Sequence, residues 1–300
     1  MLTAPASLRA SVVIPTYNRG ELLAGTVGHF LKLLPESDEL IVVDQSDERS
    51  PILTDMSSAR RQLRYLHIEE KGLPNARNVG VEHSSGRTII FCDDDTIPHD
   101  GIIAAHVKAY DDARVGAVAG RVILQGTPVT KDPAFGTIRK VDFRVVAKFN
   151  SLERKFVDHF QGCNFSVSRQ AFLRGVKSDK RFGGTAHLEE CDLALQITKK
   201  GYRILFEPEA ALIHLIQAGG GCRMDGMRRW LYWYGHNYML LHLKHGSRVL
   251  SPTFLSARLV KLLLTALSAR DPYLLSRGIR GLIDGTRTYL RHDDNAAPPR

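Results

Sequence analysis

Three carboxylates in a row, Asp93, Asp94 and Asp95, stand directly after the apolar run Thr88-Ile89-Ile90-Phe91-Cys92. A run of that kind reads as a strand buried on both faces, so its end delivers the acids to the edge of a sheet. There the first and third side chains share one face, and two carboxylates held that way can bind Mg²⁺ or Mn²⁺, with a diphosphate completing the coordination. A solvated acidic turn is the competing reading, since such turns are common after strands. Against it stands the repulsion of three adjacent acids on a buried run, which needs compensation. Asp93 and Asp95 are thus candidate metal ligands, with Asp94 beside them as a candidate contact to the phosphate-bearing ligand.

The elements that would position these acids alternate along the chain. Short Val/Ile-rich runs predict strands at 11–15, 39–43, 63–68, 88–92 and 115–124, and helical patterns fall at 21–34, 74–83 and 99–110. Pro74 lies near the first turn of its helix, where a missing N–H costs little. This alternation implies an α/β fold with a mostly parallel, Rossmann-like sheet, helices on both faces, and ligands at the carboxyl ends of the strands. Asp44 and the Asp93, Asp94, Asp95 triplet lie at such ends. Residues 126–159, with Pro128 and Pro133, break the pattern and read as a long functional excursion over the active face. A strand at 161–168, a helix at 188–200 and a strand pair over 202–213, broken by Pro208, follow. From Met224 onward the pattern is helical, and the polar end, 293–300, reads as disordered.

Composition bounds the class. At 300 residues and 43% hydrophobic content the chain can bury a full core. Cys92, Cys163, Cys191 and Cys222 form no CxxC pair and read as buried thiols in a reducing compartment. No leader-like segment opens the sequence, and no run of 18 uncharged apolar residues occurs, so the expectation is a cytoplasmic protein that does not span a membrane. The net charge of +9 is concentrated: residues 223–300 hold 13 Lys or Arg against 5 Asp or Glu, and residues 1–222 hold 28 against 27. This basic end has no zinc-ligand spacing or nucleic-acid-binding motif, so an anionic membrane surface fits it better than nucleic acid.

Four segments occur in a specific order: Val12-Val13-Ile14-Pro15-Thr16-Tyr17-Asn18-Arg19, Val42-Val43-Asp44, Gly72-Leu73-Pro74-Asn75-Ala76-Arg77-Asn78-Val79-Gly80, and Asp93-Asp94-Asp95. Together they resemble the family 2 glycosyltransferases, over roughly residues 10–215. That resemblance implies a GT-A-type fold, a nucleoside-diphosphate sugar as donor, and an Mn²⁺ or Mg²⁺ cofactor. Taken with the charge step and the helical pattern, the sequence divides into a catalytic unit over 1–222 and a basic amphipathic helical extension over 223–292. Pro15, Thr16, Tyr17, Asn18 and Arg19 would then line the donor site. Asp44 would accept the imide N–H of a uracil or thymine ring, unless it caps the following helix. The family usually continues this Asp with an acidic or amide residue and a Gly, where Gln45-Ser46-Asp47 stands here. Arg77 and Asn78 lie on a helix whose N-terminus favours anions, and Arg77 would approach the diphosphate or the metal site; an ordinary surface arginine is the alternative.

Glu189-Glu190-Cys191-Asp192 follows Gly183-Gly184 and resembles the family's acidic motif that contains the catalytic base. By position the base is Glu190, with Glu189 also a candidate and Asp192 in the same group; the helix dipole alone also favours acids in a first turn. The stretch ending at His214 resembles one that closes on a metal-binding histidine, and a neutral imidazole beside Asp95 suits Mn²⁺ better than Mg²⁺. Gly219, Gly220 and Gly221 supply the flexibility of a lid, from which Arg223 would close over the departing diphosphate.

The implied reaction is an inverting transfer of a sugar to a hydroxyl, in envelope or extracellular polysaccharide synthesis. A sugar-phosphate nucleotidyltransferase would be expected to carry a Gly-rich basic loop in place of Pro15 to Arg19. A catalytically silent nucleotide-binding scaffold would have shed some of Asp44, Asp93, Asp95, Glu190 and His214. In the extension, Arg228-Arg229-Trp230-Leu231-Tyr232-Trp233-Tyr234 sets rings beside cations, and Arg258, Lys261, Thr265 and Ser268 form a polar stripe against a Leu-rich face. Both patterns suit a membrane interface over 228–268, hence peripheral attachment at the inner face of the cell membrane and a glycan or lipid-linked acceptor. The competing reading packs these helices on the catalytic unit or on a second copy of the chain, as a homodimer.

Overall fold

Val12, Val13, Ile14, the four residues Leu40, Ile41, Val42 and Val43, and the pair Ile89 and Ile90 are all wholly buried. Strands apolar on both faces can sit only in the middle of a layered sheet, and that is where the computed structural model, which describes residues 10–216 and 226–291, places them. In chain order the first half comprises β1 (Ala10–Thr16), α1 (Gly20–Leu33), β2 (Glu39–Asp44), α2 (Pro51–Ala59), β3 (Leu63–His67), α3 (Leu73–His83), β4 (Thr88–Cys92), β5 (Thr96–Pro98), α4 (Ile102–Lys108) and β6 (Val115–Leu124). There follow β7 (Thr137–Arg139), β8 (Arg144–Val146), β9 (Lys155–Val157), β10 (Asn164–Ser168), α5 (Arg169–Leu173), α6 (Glu189–Lys199), β11 (Arg203–His214), α7 (Met227–His245), α8 (Ser251–Ser268) and α9 (Tyr273–Leu290).

The main sheet runs β3-β2-β1-β4-β10-β6-β11-β5, with β9 added on β11. From β3 to β4 every pairing is parallel, as the alternation predicts. Beyond β4 the sheet is mixed, because β10 enters antiparallel to both β4 and β6. The expected strand pair around Pro208 is one strand, β11, whose register with the parallel β6 shifts between Glu207 and Ala211. Pro208 lacks the N–H for a ladder bond, and the bulge absorbs it while both halves keep the same neighbour. The register puts Asp44 beside Thr16, and His214 beside Thr96 just past the acidic triplet.

The excursion takes a different course from the one expected. Its hairpin, β7 with β8, packs Ile138 and Phe143 into a second core with Phe182, Leu188 and Cys191 and with residues of α7, α8 and α9. In that core α7 and α9 touch backbone to backbone: a Cβ on Gly281 would meet the carbonyl oxygen of Tyr232 at 2.0 Å, and one on Gly285 that of His236 at 2.4 Å. Only glycine permits such an approach.

The rings of the aromatic run on α7 are largely internal, since Tyr232, Trp233 and Tyr234 are 7–8% exposed, which corrects the expectation of rings at the surface, whereas Arg228 and Arg229 beside them are exposed. The polar stripe on α8 is corrected too. Arg258 points inward, donating from Nη1 to the Tyr234 hydroxyl at 2.7 Å and lying 4.3 Å from the centre of the Tyr238 ring, while Leu259, Val260, Leu263, Leu264 and Leu267 face outward. By length and composition the stretch Arg248–Ser268, mean hydropathy 1.4, is long and apolar enough to cross a membrane.

Candidate active site

Asp94 is drawn inward at the turn between β4 and β5. Its Oδ2 accepts from Thr16 Oγ1 at 2.7 Å, its Oδ1 lies 3.1 Å from Arg19 Nε, and its backbone carbonyl accepts from Thr26 Oγ1 at 2.8 Å. These bonds tie the turn to β1 and α1, and Arg19 is the cation that three adjacent acids require. Asp93 and Asp95 are left facing β11. His214 Nε2 lies 3.0 Å from Asp95 Oδ1 and 3.9 Å from Asp93 Oδ2, and one ligand atom from each of the three residues falls within 4.8 Å of the others. Burial raises the Asp93 carboxyl, with Arg77 and His214 opposing it, and burial pushes Asp94 up to about 7 against the hydrogen bond from Thr16 and the charge of Arg19. Two carboxylates and an imidazole in this space form an O/O/N donor set that suits Mn²⁺.

A cavity of about 220 Å³ opens over this cluster. Pro15, Thr16, Tyr17 and Arg19 form one wall, Gln45 and Leu73 another, and Asp93, Asp94, Asp95, His214 and Thr185 the rest. Asn18, in the left-handed conformation, turns the chain at the end of β1 and donates its backbone N–H to Ser46 Oγ at 2.8 Å. Lys71 lies 5.1 Å from the centre of the Tyr17 ring.

Glu190 sits in the first turn of α6, beyond a loop in which Ala186 and Leu188 have φ of 53° and 74°. Such left-handed backbone in non-glycine residues is held against its cost by its surroundings. Here the holder is Asn237 on α7, fully buried, whose Nδ2 donates to the carbonyls of Gly183 at 3.1 Å and His187 at 3.0 Å. The Glu190 carboxylate has no side-chain hydrogen bond among the described residues, and burial together with the neighbouring Glu189 pushes it up to about 7.

This arrangement of cavity, acidic cluster and half-buried glutamate has counterparts among known proteins. The sequence model of glycosyl transferase family 2 matches residues 11–175, more than half of the chain. The chain belongs to glycosyl transferase family 2. It is 31% identical over 113 residues to the glycosyltransferase GlyG of Streptococcus pneumoniae, a match covering 37% of this chain and 38% of GlyG. A longer match, 23% identical over 222 residues and covering 69% of each chain, is to the glucosyl-dolichyl phosphate glucuronosyltransferase of Haloferax volcanii. The chain thus spans between 13% and 38% of the length of the first relatives it matches. Among solved structures it resembles the mannosyltransferase PcManGT of Pyrobaculum calidifontis, determined with GDP-Man and Mn²⁺, at a TM-score of 0.57 and 18% identity over 95% of this chain and 78% of that one. The fold is GT-A.

Several candidates that this family 2 chain offered in its sequence are engaged elsewhere. Asp44 is 1% exposed and does not line the cavity: Tyr65 donates to its Oδ2 at 2.7 Å, and Ser46 donates to its Oδ1 from both backbone and hydroxyl. Gln45 takes the lining position, held through Oε1 by the Gly72 N–H at 2.6 Å. Arg77 is no surface arginine. It is buried, ion-paired with Glu189 and donating from Nη2 to the carbonyl of Gly162 at 3.0 Å. Asn78 straps α3 to Ser178 with bonds of 2.8 and 3.0 Å. Asp192 belongs to a buried ion cluster with Lys244 at 2.8 Å and His245 at 2.6 Å. Arg223 and the Gly219, Gly220, Gly221 segment lie outside the described residues, as does the polar end. None of the residues lining the cavity comes from the excursion over 126–159. Gln45, Leu73 and Thr185 went unassigned in the sequence, although each adjoins a motif that signalled the site.

Proposed function

We propose that this protein transfers a sugar from a nucleoside diphosphate to an acceptor hydroxyl with inversion. The observation that carries the reading is the pairing of the Asp93, Asp95, His214 cluster with a separate, half-buried Glu190 that has no ion pair among the described residues. Asp93, Asp95 and His214 would hold Mn²⁺ or Mg²⁺, and such an ion supplies charge neutralisation for a departing diphosphate. Arg19 fixes Asp94 and Asp95, so the acidic turn keeps its shape in a cavity of low dielectric. Tyr17, Gln45 and Leu73, all lining the cavity, would contact a nucleotide base. Glu190 takes the proton of the acceptor hydroxyl as that oxygen bonds to the anomeric carbon and the bond from carbon to diphosphate oxygen breaks. A single in-line displacement inverts the configuration. Glu189, already neutralised by Arg77, is the weaker candidate for the base. A base near 7 is matched to neutral pH, and its help is worth about 10²–10⁴-fold.

The acceptor we propose is lipid-linked, reached from the cytoplasmic face of a membrane on which the outward apolar side of α8 rests. Residues 226–291 carry eleven Lys or Arg against two Asp, which supports attraction to anionic lipid. The relative that acts on a glucosyl-dolichyl phosphate agrees with this reading.

Thermal unfolding of the purified protein with UDP, dTDP, GDP or CDP, each with Mn²⁺, Mg²⁺ or EDTA, tests the donor site. Stabilisation by one diphosphate that vanishes with EDTA and in Asp95→Ala is expected. The absence of any metal-dependent shift would favour a scaffold over an enzyme. For the acceptor, protein that stays in the supernatant when membranes are pelleted at low salt would count against the lipid-linked reading.

A further inference from the structure

A groove of about 640 Å³, sharing no lining residue with the donor cavity, lies between α7 and α9. Its rim is Arg228, Arg229, Arg277 and Arg280, its floor Tyr232 and Trp233, and Asp284 closes one side. Internal pairing leaves this charge unbalanced. Arg228 donates to Asp271 Oδ2 at 2.9 Å, and Arg280 lies 3.6 Å from Asp284, which Arg287 also contacts at 2.9 Å. Arg277 lies over the Tyr232 ring at 5.2 Å, and Arg229 is exposed and has no ion pair among the described residues.

The helix makes the imbalance worse. Arg228 and Arg229 occupy the first turn of α7, which contains no acid, and the unbonded N–H groups and dipole at a helix start are themselves positive. Cations there cost stability unless an anion is held. The shape of the groove indicates what kind of anion. Four guanidiniums over a Tyr and Trp floor suit a phosphate attached to an apolar body, because Arg offers paired donors to phosphate oxygens while the rings accept hydrocarbon. Asp271, the partner of Arg228, lies just past the end of α8, so the groove adjoins the end where Leu263, Leu264 and Leu267 face outward.

We propose that this groove binds the phosphate of an anionic lipid headgroup, with the outward face of α8 lying among the chains of the same leaflet. The proposal rests on the membrane reading above and adds a defined headgroup site, distinct from the donor cavity, that would set how the protein is oriented on the surface.

The test is sedimentation of the full chain with vesicles of phosphatidylcholine alone or of phosphatidylcholine with phosphatidylglycerol. Arg229→Ser combined with Arg280→Ser changes two exposed side chains, and a preserved thermal shift with nucleotide and Mn²⁺ certifies the fold. The parent is expected to prefer the anionic vesicles about tenfold or more, and the double variant to lose that preference. Leu264→Ser combined with Leu267→Ser should weaken binding to both vesicle types. If the arginine variant binds anionic vesicles as the parent does, the groove is not the headgroup site, although the membrane reading stands. If the parent binds neither vesicle, both readings fall. Stabilisation by millimolar inorganic phosphate or diphosphate that needs the same arginines, without any lipid preference, would identify a free phosphate as the ligand and overturn the lipid.

Discussion

Burial beside Glu189 makes Glu190 both a better base and a source of instability. Turnover should rise with pH through about 7 as the carboxyl ionises and then level off, and Glu190→Gln should remove about 10²–10⁴-fold of kcat while leaving the nucleotide thermal shift in place. Near-normal turnover in that variant would remove Glu190 as the base. The same shift has a signature in stability. The folded value lies above the ordinary glutamate range, so the stability this group contributes is fully present below that range and is lost as pH climbs through about 7. Glu190→Gln should therefore be more stable than the parent at about pH 8, by at most roughly 2–3 kcal/mol, and should lose the gain near about pH 4. A denaturation series across that window checks the sign independently of activity. The acids that proved to line the cavity, Asp93, Asp94 and Asp95, were legible because a strand end dictates where its last side chains point. What Asp44, Arg77, Asn78 and Asp192 contact was not legible, for one shared reason. Each is captured by a partner 21 to 112 residues away, and local pattern contains no information about that partner.

Elements reach the site in two ways, through buried ions and through buried amides. The pair of Arg77 with Glu189 fastens α3 to the start of α6, and one Glu189 oxygen, Oε1, has no hydrogen-bond partner among the described residues. Removing only one member leaves a charge in the core. Arg77→Met should cost about 3–5 kcal/mol, and adding Glu189→Met should recover much of it, as denaturation of the two variants would reveal. Asn237 works without charge: it holds the loop that precedes Glu189 and Glu190, and His236 links it onward to Thr288 on α9, with hydrogen bonds of 2.9 and 3.0 Å. Asn237→Asp keeps the shape but withdraws both N–H donors from the carbonyls of Gly183 and His187. It is expected to lower kcat about tenfold or more, with the nucleotide thermal shift retained, because the loop carries the base and the cavity does not depend on it for its acidic wall. Unchanged turnover would mean the loop is held by its other contacts. The α6 helix itself was legible from its acidic first turn, but the strained backbone before it was not, since Ala186 and Leu188 are unremarkable residue types for a loop.

The whole molecule divides differently from its sequence. Parallel strands announce themselves as apolar runs, so β1 to β4 and β6 were legible nearly to the residue, whereas β7, β8 and β9 are three-residue strands defined by what they pack on. Likewise the charge of the extension was plain, but not which side of each helix faces in, because α8 buries Arg258 and exposes leucines against the usual amphipathic rule. The sequence suggests a boundary near residue 222, yet the second core crosses it: Ile138, Phe143, Phe182, Leu188 and Cys191 are covered by Leu231, Tyr238, Leu241, Phe254 and Leu282. A chain ending at 222 would expose that apolar surface and release the loop that Asn237 holds. Each large side chain so uncovered forfeits about 1.5–3 kcal/mol, and a handful of them equals the whole stability of an ordinary domain. The truncated chain is therefore expected to aggregate or to unfold without a cooperative transition, whereas the chain through Arg291 should melt as one unit. A truncation that melts cooperatively near the parental Tm and still responds to nucleotide with Mn²⁺ would establish the helical extension as an independent domain and assign Asn237 no part in shaping the catalytic loop.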